Sequence, residues 1–157
     1  MIQRIQTLFV ALAAVAVVLL FYFPLAEYYH ELNGNYKFFV YGLKSMDPDP
    51  KLEVSIWFTS PLWFLSGISV LLSVMTIFLY KNRTSQLRLV AFNILLNIVL
   101  VVLIFLFYTS KIETLTQITP SYQFGVFLPL ISLVLLVAAN YFIRRDEALV
   151  KAANRLR

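Results

Sequence analysis

The sequence predicts an all-α membrane protein: a bundle of four transmembrane helices with both termini cytoplasmic, a small β-ribbon in the first exported loop and a short cytoplasmic C-terminal helix. Three observations predict it. Four long apolar runs, Ile5 to Phe23, Pro61 to Tyr80, Leu89 to Tyr108 and Gly125 to Ile143, contain no Asp, Glu, Lys, Arg or His. Charged residues make up 13% of the 157 and mean hydropathy is +0.80, against roughly 25% charged in an average soluble domain. The basic residues collect between alternate runs.

A helix of about 20 apolar residues rises ~30 Å and crosses the hydrocarbon of a bilayer, whereas a water-soluble core of this size cannot hide four such stretches. The expected spans are about 5–27, 60–80, 88–109 and 124–143, within one domain covering 1–157. Residues 28–59 and 110–123 form the exported loops, and 144–157 form a tail. Ala11-Leu12-Ala13 has the small-x-small form of a signal-peptidase site, but apolar chain continues to Phe23 with no polar region, so an uncleaved helix is expected.

Orientation follows from charge. With the amino-terminus inside, Arg4, Lys81, Arg83, Arg88, Arg144, Arg145, Lys151, Arg155 and Arg157 lie on the cytoplasmic side, beside only Asp146 and Glu147. Lys37, Lys44, Lys51 and Lys111 lie outside with six acidic residues. The net charge of +5 therefore divides into +7 inside and −2 outside, as expected if short basic loops resist translocation. This charge is a topology signal, and nucleic acid is not an expected partner.

In the first exported loop, Asn33-Gly34 signals a tight turn and Tyr36-Lys37-Phe38-Phe39-Val40-Tyr41 is rich in strand formers, followed by an Asp47-Pro48-Asp49-Pro50 turn. Tyr36, Phe38, Phe39 and Tyr41 form a candidate partner surface, expected to lie against the helix ends or another subunit, with Trp57 and Trp63 at headgroup depth. An aromatic belt at the lipid interface would use the same residues. The Thr-rich second loop reads as a connector.

The intramembrane polar residues are the next candidates. Asn93 and Asn97 lie one turn apart on the third helix, with Gln86 on the same face, while Ser73, Thr76 and Asn140 fall at similar depth on the second and fourth helices. A lipid-facing amide would be unsatisfied, so these groups should point inward and bond across helices. The alternative is a polar pocket for a lipid headgroup or small solute. Ser66, Gly67, Ser69 and Ser73, with Ala11 and Ala14, predict close helix packing, and Pro129 predicts a mild kink near the outer surface.

In the tail, Glu147 and Lys151 have i, i+4 spacing and Leu149, Ala152, Ala153 and Leu156 share one side. Arg144, Arg145, Lys151, Arg155 and Arg157 make this extension a candidate surface for anionic lipid or a cytoplasmic partner.

Catalytic groups are scarce. Cysteine is absent, which excludes disulfides, thiolate nucleophiles and cysteine metal sites. Glu27-Tyr28-Tyr29-His30, with Glu31 beside it, has the Glu-x-x-His form of di-iron bundles, but such sites need a second motif and further carboxylates on neighbouring helices. No metal, cofactor or catalytic residue is expected.

Met1-Ile2-Gln3-Arg4-Ile5-Gln6-Thr7-Leu8, the exit Phe23-Pro24-Leu25-Ala26, the segment Ile77-Phe78-Leu79-Tyr80-Lys81-Asn82-Arg83 with Gln86 and Arg88, and the tail Arg144-Arg145-Asp146-Glu147-Ala148-Leu149-Val150 ending Asn154-Arg155-Leu156-Arg157 together resemble a family of four-span proteins of Bacteroidota. The resemblance covers essentially the whole chain. That family is a domain of unknown function, so the resemblance implies a bacterial inner-membrane location and no chemistry. The expected function is non-enzymatic: an accessory, assembly or scaffold subunit of an inner-membrane complex, contacting membrane lipid and other subunits. A lipid- or small-solute-binding or transport protein using a pocket around Asn93 and Asn97 is the alternative.

Overall fold

A computed structural model of the chain describes residues 3–30, 34–46, 55–79 and 82–155. The fold is mostly helical, with a small sheet at one end. Helices α1 (Gln3–Leu19), α2 (Ser60–Phe78), α3 (Arg83–Val102) and α5 (Phe127–Arg155) run alternately up and down, and α4 (Thr109–Thr116) continues α3 through a π-helical turn at Leu103–Tyr108. α1 packs on α2 and α5, and α3 packs on α2 and α5, which closes a ring of four. Three helical segments, Trp57–Phe78, Arg83–Thr116 and Phe124–Val150, are long and apolar enough to cross a membrane.

Each helix buries one narrow stripe. On α1 it is Gln6, Val10, Ala13 and Val17; on α2, Leu62, Ser66, Ser69, Ser73 and Thr76; on α3, Gln86, Val90, Asn93, Asn97 and Leu100; on α5, Leu128, Ser132, Leu136, Ala139 and Ile143. Large apolar side chains such as Leu8, Leu71, Phe78, Leu95, Leu106 and Val134 cover the outside, the inverse of a soluble domain. The small residues used for packing on α1 are Ala13 and Ala16 rather than Ala11 and Ala14, which are half-buried; Gly67 on α2 is exposed.

The ends of the helices differ from expectation. α1 stops at Leu19 instead of continuing to residue 27, and one tightened turn, with Leu20 N–H bonded to Val17 O and Phe21 N–H to Val18 O, carries the chain to Phe23. Pro24 disfavours helix at the residue before it and lacks an N–H. Leu25 N–H then bonds Phe38 O at 2.7 Å, and Ala26–His30 is strand β1.

The third helix is longer than predicted, reaching Thr116 through residues expected to form a loop. Its inward residues Leu100, Ile104, Tyr108, Ile112 and Thr116 repeat every four positions, and an ideal α-helix over-rotates such a stripe by ~40° per step. The wider π turn, marked by Thr109 Oγ1 donating to Ile104 O at 2.6 Å, offsets that drift and keeps the stripe on the core. Gln117, at φ 57°, ends α4 in the left-handed conformation.

The predicted ribbon is part of a four-stranded antiparallel sheet, ordered β3 (Gly42–Ser45), β2 (Gly34–Phe39), β1, β4 (Ser121–Tyr122). The fourth strand comes from the segment read as a connector, with Ala26 opposite Tyr122 and Glu27 opposite Ser121. Gly34 opens β2 with φ 94°, a left-handed conformation that glycine adopts freely. Asn33 and the Asp47 to Pro50 turn lie outside the described residues.

Pro129 sits in the first turn of α5, where its missing N–H would have had no helical partner, so the expected kink has no cause. Helix α5 continues without a break to Arg155, so the tail is the end of α5 rather than a separate helix.

Candidate functional site

The polar residues of α2 and α3 meet in the middle of the bundle. Ser69 Oγ donates to Asn93 Oδ1 at 2.7 Å, and the Asn93 amide donates to Ser73 Oγ at 2.8 Å and Ser69 O at 3.2 Å. Asn97 Nδ2 reaches Ser69 Oγ at 2.9 Å, Asn93 O at 3.0 Å and Asn93 Oδ1 at 3.2 Å. Ser73 Oγ donates to Ser69 O one turn back on its own helix. Both asparagines are 0% exposed. The network therefore satisfies its polar groups largely on one another, with α2 as template and α3 as reader.

Of the predicted cluster, Ser73, Asn93 and Asn97 come together, joined by Ser69. Thr76 lies one turn further along: its hydroxyl donates to Leu72 O, and its own carbonyl accepts from Gln86 Nε2 at 2.9 Å. Asn140 does not belong to the network. It is half-buried on α5, and its Oδ1 accepts from Arg144 Nε of the same helix at 3.3 Å.

Buried interhelical amide bonds contribute roughly 0.6 kcal/mol each and at most about 2. Asn97→Leu is expected to lower stability in detergent by no more than about 2 kcal/mol, and Asn93→Leu to lower it further because Ser69 and Ser73 both lose a partner. Thermal unfolding of the purified variants checks that order.

At the sheet end, the predicted aromatic surface divides. Tyr36 and Phe38 are buried against the helices, where Phe38 stacks on Tyr108 with ring centroids 6.1 Å apart, so they are unavailable to a partner. Phe39 and Tyr41 stack on each other at 5.2 Å, half-buried, with Lys44 Nζ over both rings. Alternation along a strand separates the two pairs.

Tyr28 points into the bundle and its hydroxyl donates to Thr109 O at 3.3 Å. Burial, with Tyr122 and Glu113 nearby, pushes its phenol well above the ordinary range, so it remains a donor at neutral pH. Glu27 pairs with Lys37 at 2.8 Å and accepts from Gln123 Nε2 at 3.2 Å, which links three strands' worth of chain on the solvent face. A shallow depression of about 200 Å³ lies there, lined by Glu27, Tyr29, Lys37 and Met46 among others.

The opposite end holds a contact that sequence reasoning missed. The Gln6 amide donates to Phe142 O at 3.1 Å and to the carboxylate of Asp146, while Arg83 Nη1 donates to Asp146 O at 2.8 Å. Gln6 and Asp146 are both 5% exposed. This clamp ties α1, α3 and α5 together. Gln6 lies on the buried stripe of α1, which is the only sequence signal for it. Arg144 and Arg145 are exposed beside the clamp. The side chains of Lys151 and Arg155, and all of Arg157, lie outside the described residues.

Among the described residues, no three His, Cys, Asp or Glu side chains gather as metal ligands, and Glu31 lies outside those residues. The described side chains offer hydrogen bonding and packing. A family model described as a domain of unknown function, DUF4293, matches residues 2–156. The chain belongs to the DUF4293 family. No curated protein and no solved structure matches it. For this DUF4293 protein, membership supplies no reaction, and the arrangement of residues carries any functional reading alone.

Proposed function

We propose that this DUF4293 protein is a four-span integral membrane protein of the bacterial inner membrane, both termini cytoplasmic, serving without catalysis as an accessory, assembly or scaffold subunit. The sheet carries this reading. A bundle that only had to fold would need no sheet, yet here four strands from two separate loops are built on the helix ends. Their outward face presents Tyr29 at 70% and Met46 at 59% exposure beside the Glu27–Lys37 pair. Exposed aromatic and Met side chains rimmed by charge suit a protein partner. The alternative, a solute pocket around Asn93 and Asn97, has less support because those amides are closed off and bonded to neighbouring side chains.

The α1 helix is shorter than the three long apolar helices, and the turn added to its end carries apolar chain on to Phe23. Reporter fusions after Asn82 and Arg157 are expected to read as cytoplasmic, and fusions at Asp49 and Thr116 as exported. A cytoplasmic signal at Asp49 overturns the orientation.

The partner test uses surfaces that the bundle does not need. Tyr29→Ser with Met46→Ser changes the sheet face, and truncation after Val150 removes the basic end while keeping Asp146 in its clamp. Wild-type chain, cross-linked in intact cells and purified in mild detergent, is expected to carry another membrane protein at fixed ratio. One variant should lose that protein while remaining inserted. A wild-type chain that runs alone under all these conditions rules out the scaffold role.

A further inference from the structure

The amide network has a direction, and it ends on an unmatched acceptor. The Ser69 hydroxyl is committed to Asn93 Oδ1, so Ser69 Oγ can only accept from Asn97. Asn93 O and Oδ1 are acceptors as well. All three groups around one end of the Asn97 amide therefore require its NH2 there, which fixes the orientation of the side chain. Its Oδ1 is left facing elsewhere, and among the described residues it meets no donor.

A second orphan lies on α5. Ser132 on α5 is 0% exposed, and its hydroxyl meets no partner among the described residues, not even the carbonyl one turn back that Ser66, Ser73, Thr76 and Thr116 each use. Residue counts from a shared contact put the two residues at similar depth. Arg83 Nη1 on Asp146 O pins α3 to α5 at the tail end. Asn97 lies fourteen residues above Arg83 and Ser132 fourteen above Asp146, a rise of about 21 Å on each helix. Both lie on the inward stripes of packed neighbours.

Helix α1 contributes a small residue at this depth. Gln6 bonds Phe142 O, and ten residues above each stand Ala16 on α1 and Ser132 on α5, so a small buried residue lies at the depth of the serine on the packed neighbouring helix. An acceptor and a hydroxyl at one depth, beside a small side chain, form a site for a donor of minimal size. Buried polar groups left without protein partners are characteristically matched by ordered water, which can donate to one and accept from the other.

We infer that a structural water molecule is held at the centre of the bundle, donating to Asn97 Oδ1 and accepting from Ser132 Oγ, and so extends the α2–α3 network to α5. This site does not depend on the proposed scaffold role. It makes Ser132 a partner of the asparagines, although the two helices share no direct side-chain hydrogen bond at that level among the described residues.

Solution NMR of the wild-type protein in micelles provides the direct test. A long-lived cross-peak is expected between the Asn97 side-chain amide and a resonance at the water frequency, and Ser132→Ala should weaken or abolish it. Thermal midpoints give a separate readout: the losses in Ser132→Ala and Asn97→Leu should not add in the double variant, because either change dismantles the same bridge. Absence of the cross-peak in wild type overturns the inference, as do strictly additive losses. A high-resolution map placing Ser132 Oγ in direct hydrogen-bond contact with Asn97 Oδ1, or showing a larger solute there, overturns it as well.

Discussion

Phe38→Ala is expected to destabilise the folded protein by about 3–5 kcal/mol, the usual cost of removing a fully buried aromatic ring. Phe38 belongs to β2 in sequence but to the bundle in space. It stacks on Tyr108, whose hydroxyl donates to Phe58 O at 2.9 Å and whose ring meets Phe58 edge-on at 5.1 Å. Removing the ring opens a void where β2, the start of α2 and the π turn converge. Phe39→Ala, one residue away on the other face, should cost far less, since that ring is half-buried against Tyr41. Thermal or denaturant unfolding in detergent compares the two. Equal and small losses would mean that the sheet does not pack on the helices.

Gly125→Ala should have the next largest effect, through overpacking rather than a void. A Cβ at Gly125 would stand 2.4 Å from Pro24 O and 2.8 Å from Phe23 O, and these are backbone atoms that cannot rotate away. Here the exit of α1 crosses the entry to α5, held by Gly125 N–H on Pro24 O at 3.1 Å and Gln123 N–H on Leu25 O at 3.0 Å. Separating the crossing chains would strain the β1–β4 pairing. The expected loss is about 1–3 kcal/mol, and Gly125→Val should exceed it. Gly67→Ala is the matched control: nothing lies within 4 Å of its added methyl, so the substitution should be neutral or stabilising by up to about 1 kcal/mol. A Gly125→Ala variant as stable as wild type would show that the crossing is looser than its geometry.

Much of the polar interior was readable from the chain, because an amide inside an apolar run has few places to go. Asn93, Asn97 and Gln86 share a face by spacing alone. Their partners were less legible. By sequence Ser69 is a small packing residue, yet it is the central hydroxyl of the network. Asn140 was grouped with the others by depth, and depth does not say which way a side chain turns. The Gln6–Asp146 contact joins residues 140 apart in sequence, and no local pattern encodes such a pairing. Asp146 belongs by sequence to the charged tail, and its burial follows from the packing of α1 on α5.

The sequence by itself determined that the chain is mostly helical and carries four long apolar runs, because apolar content acts residue by residue; the structure makes three of them into helices long enough to cross a membrane and ends the first, α1, at Leu19. It also determined that a strand follows Gly34, since strand formers and a turn glycine are local signals, whereas strand β1 at Ala26–His30 replaces the end of an expected span. Only the tertiary structure decided that the ribbon becomes a four-stranded sheet. The strand at Ser121–Tyr122 is two residues long, too short for a local pattern, and exists because β1 offers it an edge. Tertiary packing likewise decided that Tyr36 and Phe38 turn inward while Phe39 and Tyr41 do not. A strand's alternation fixes which residues share a face, but which face is buried depends on where the helix ends lie.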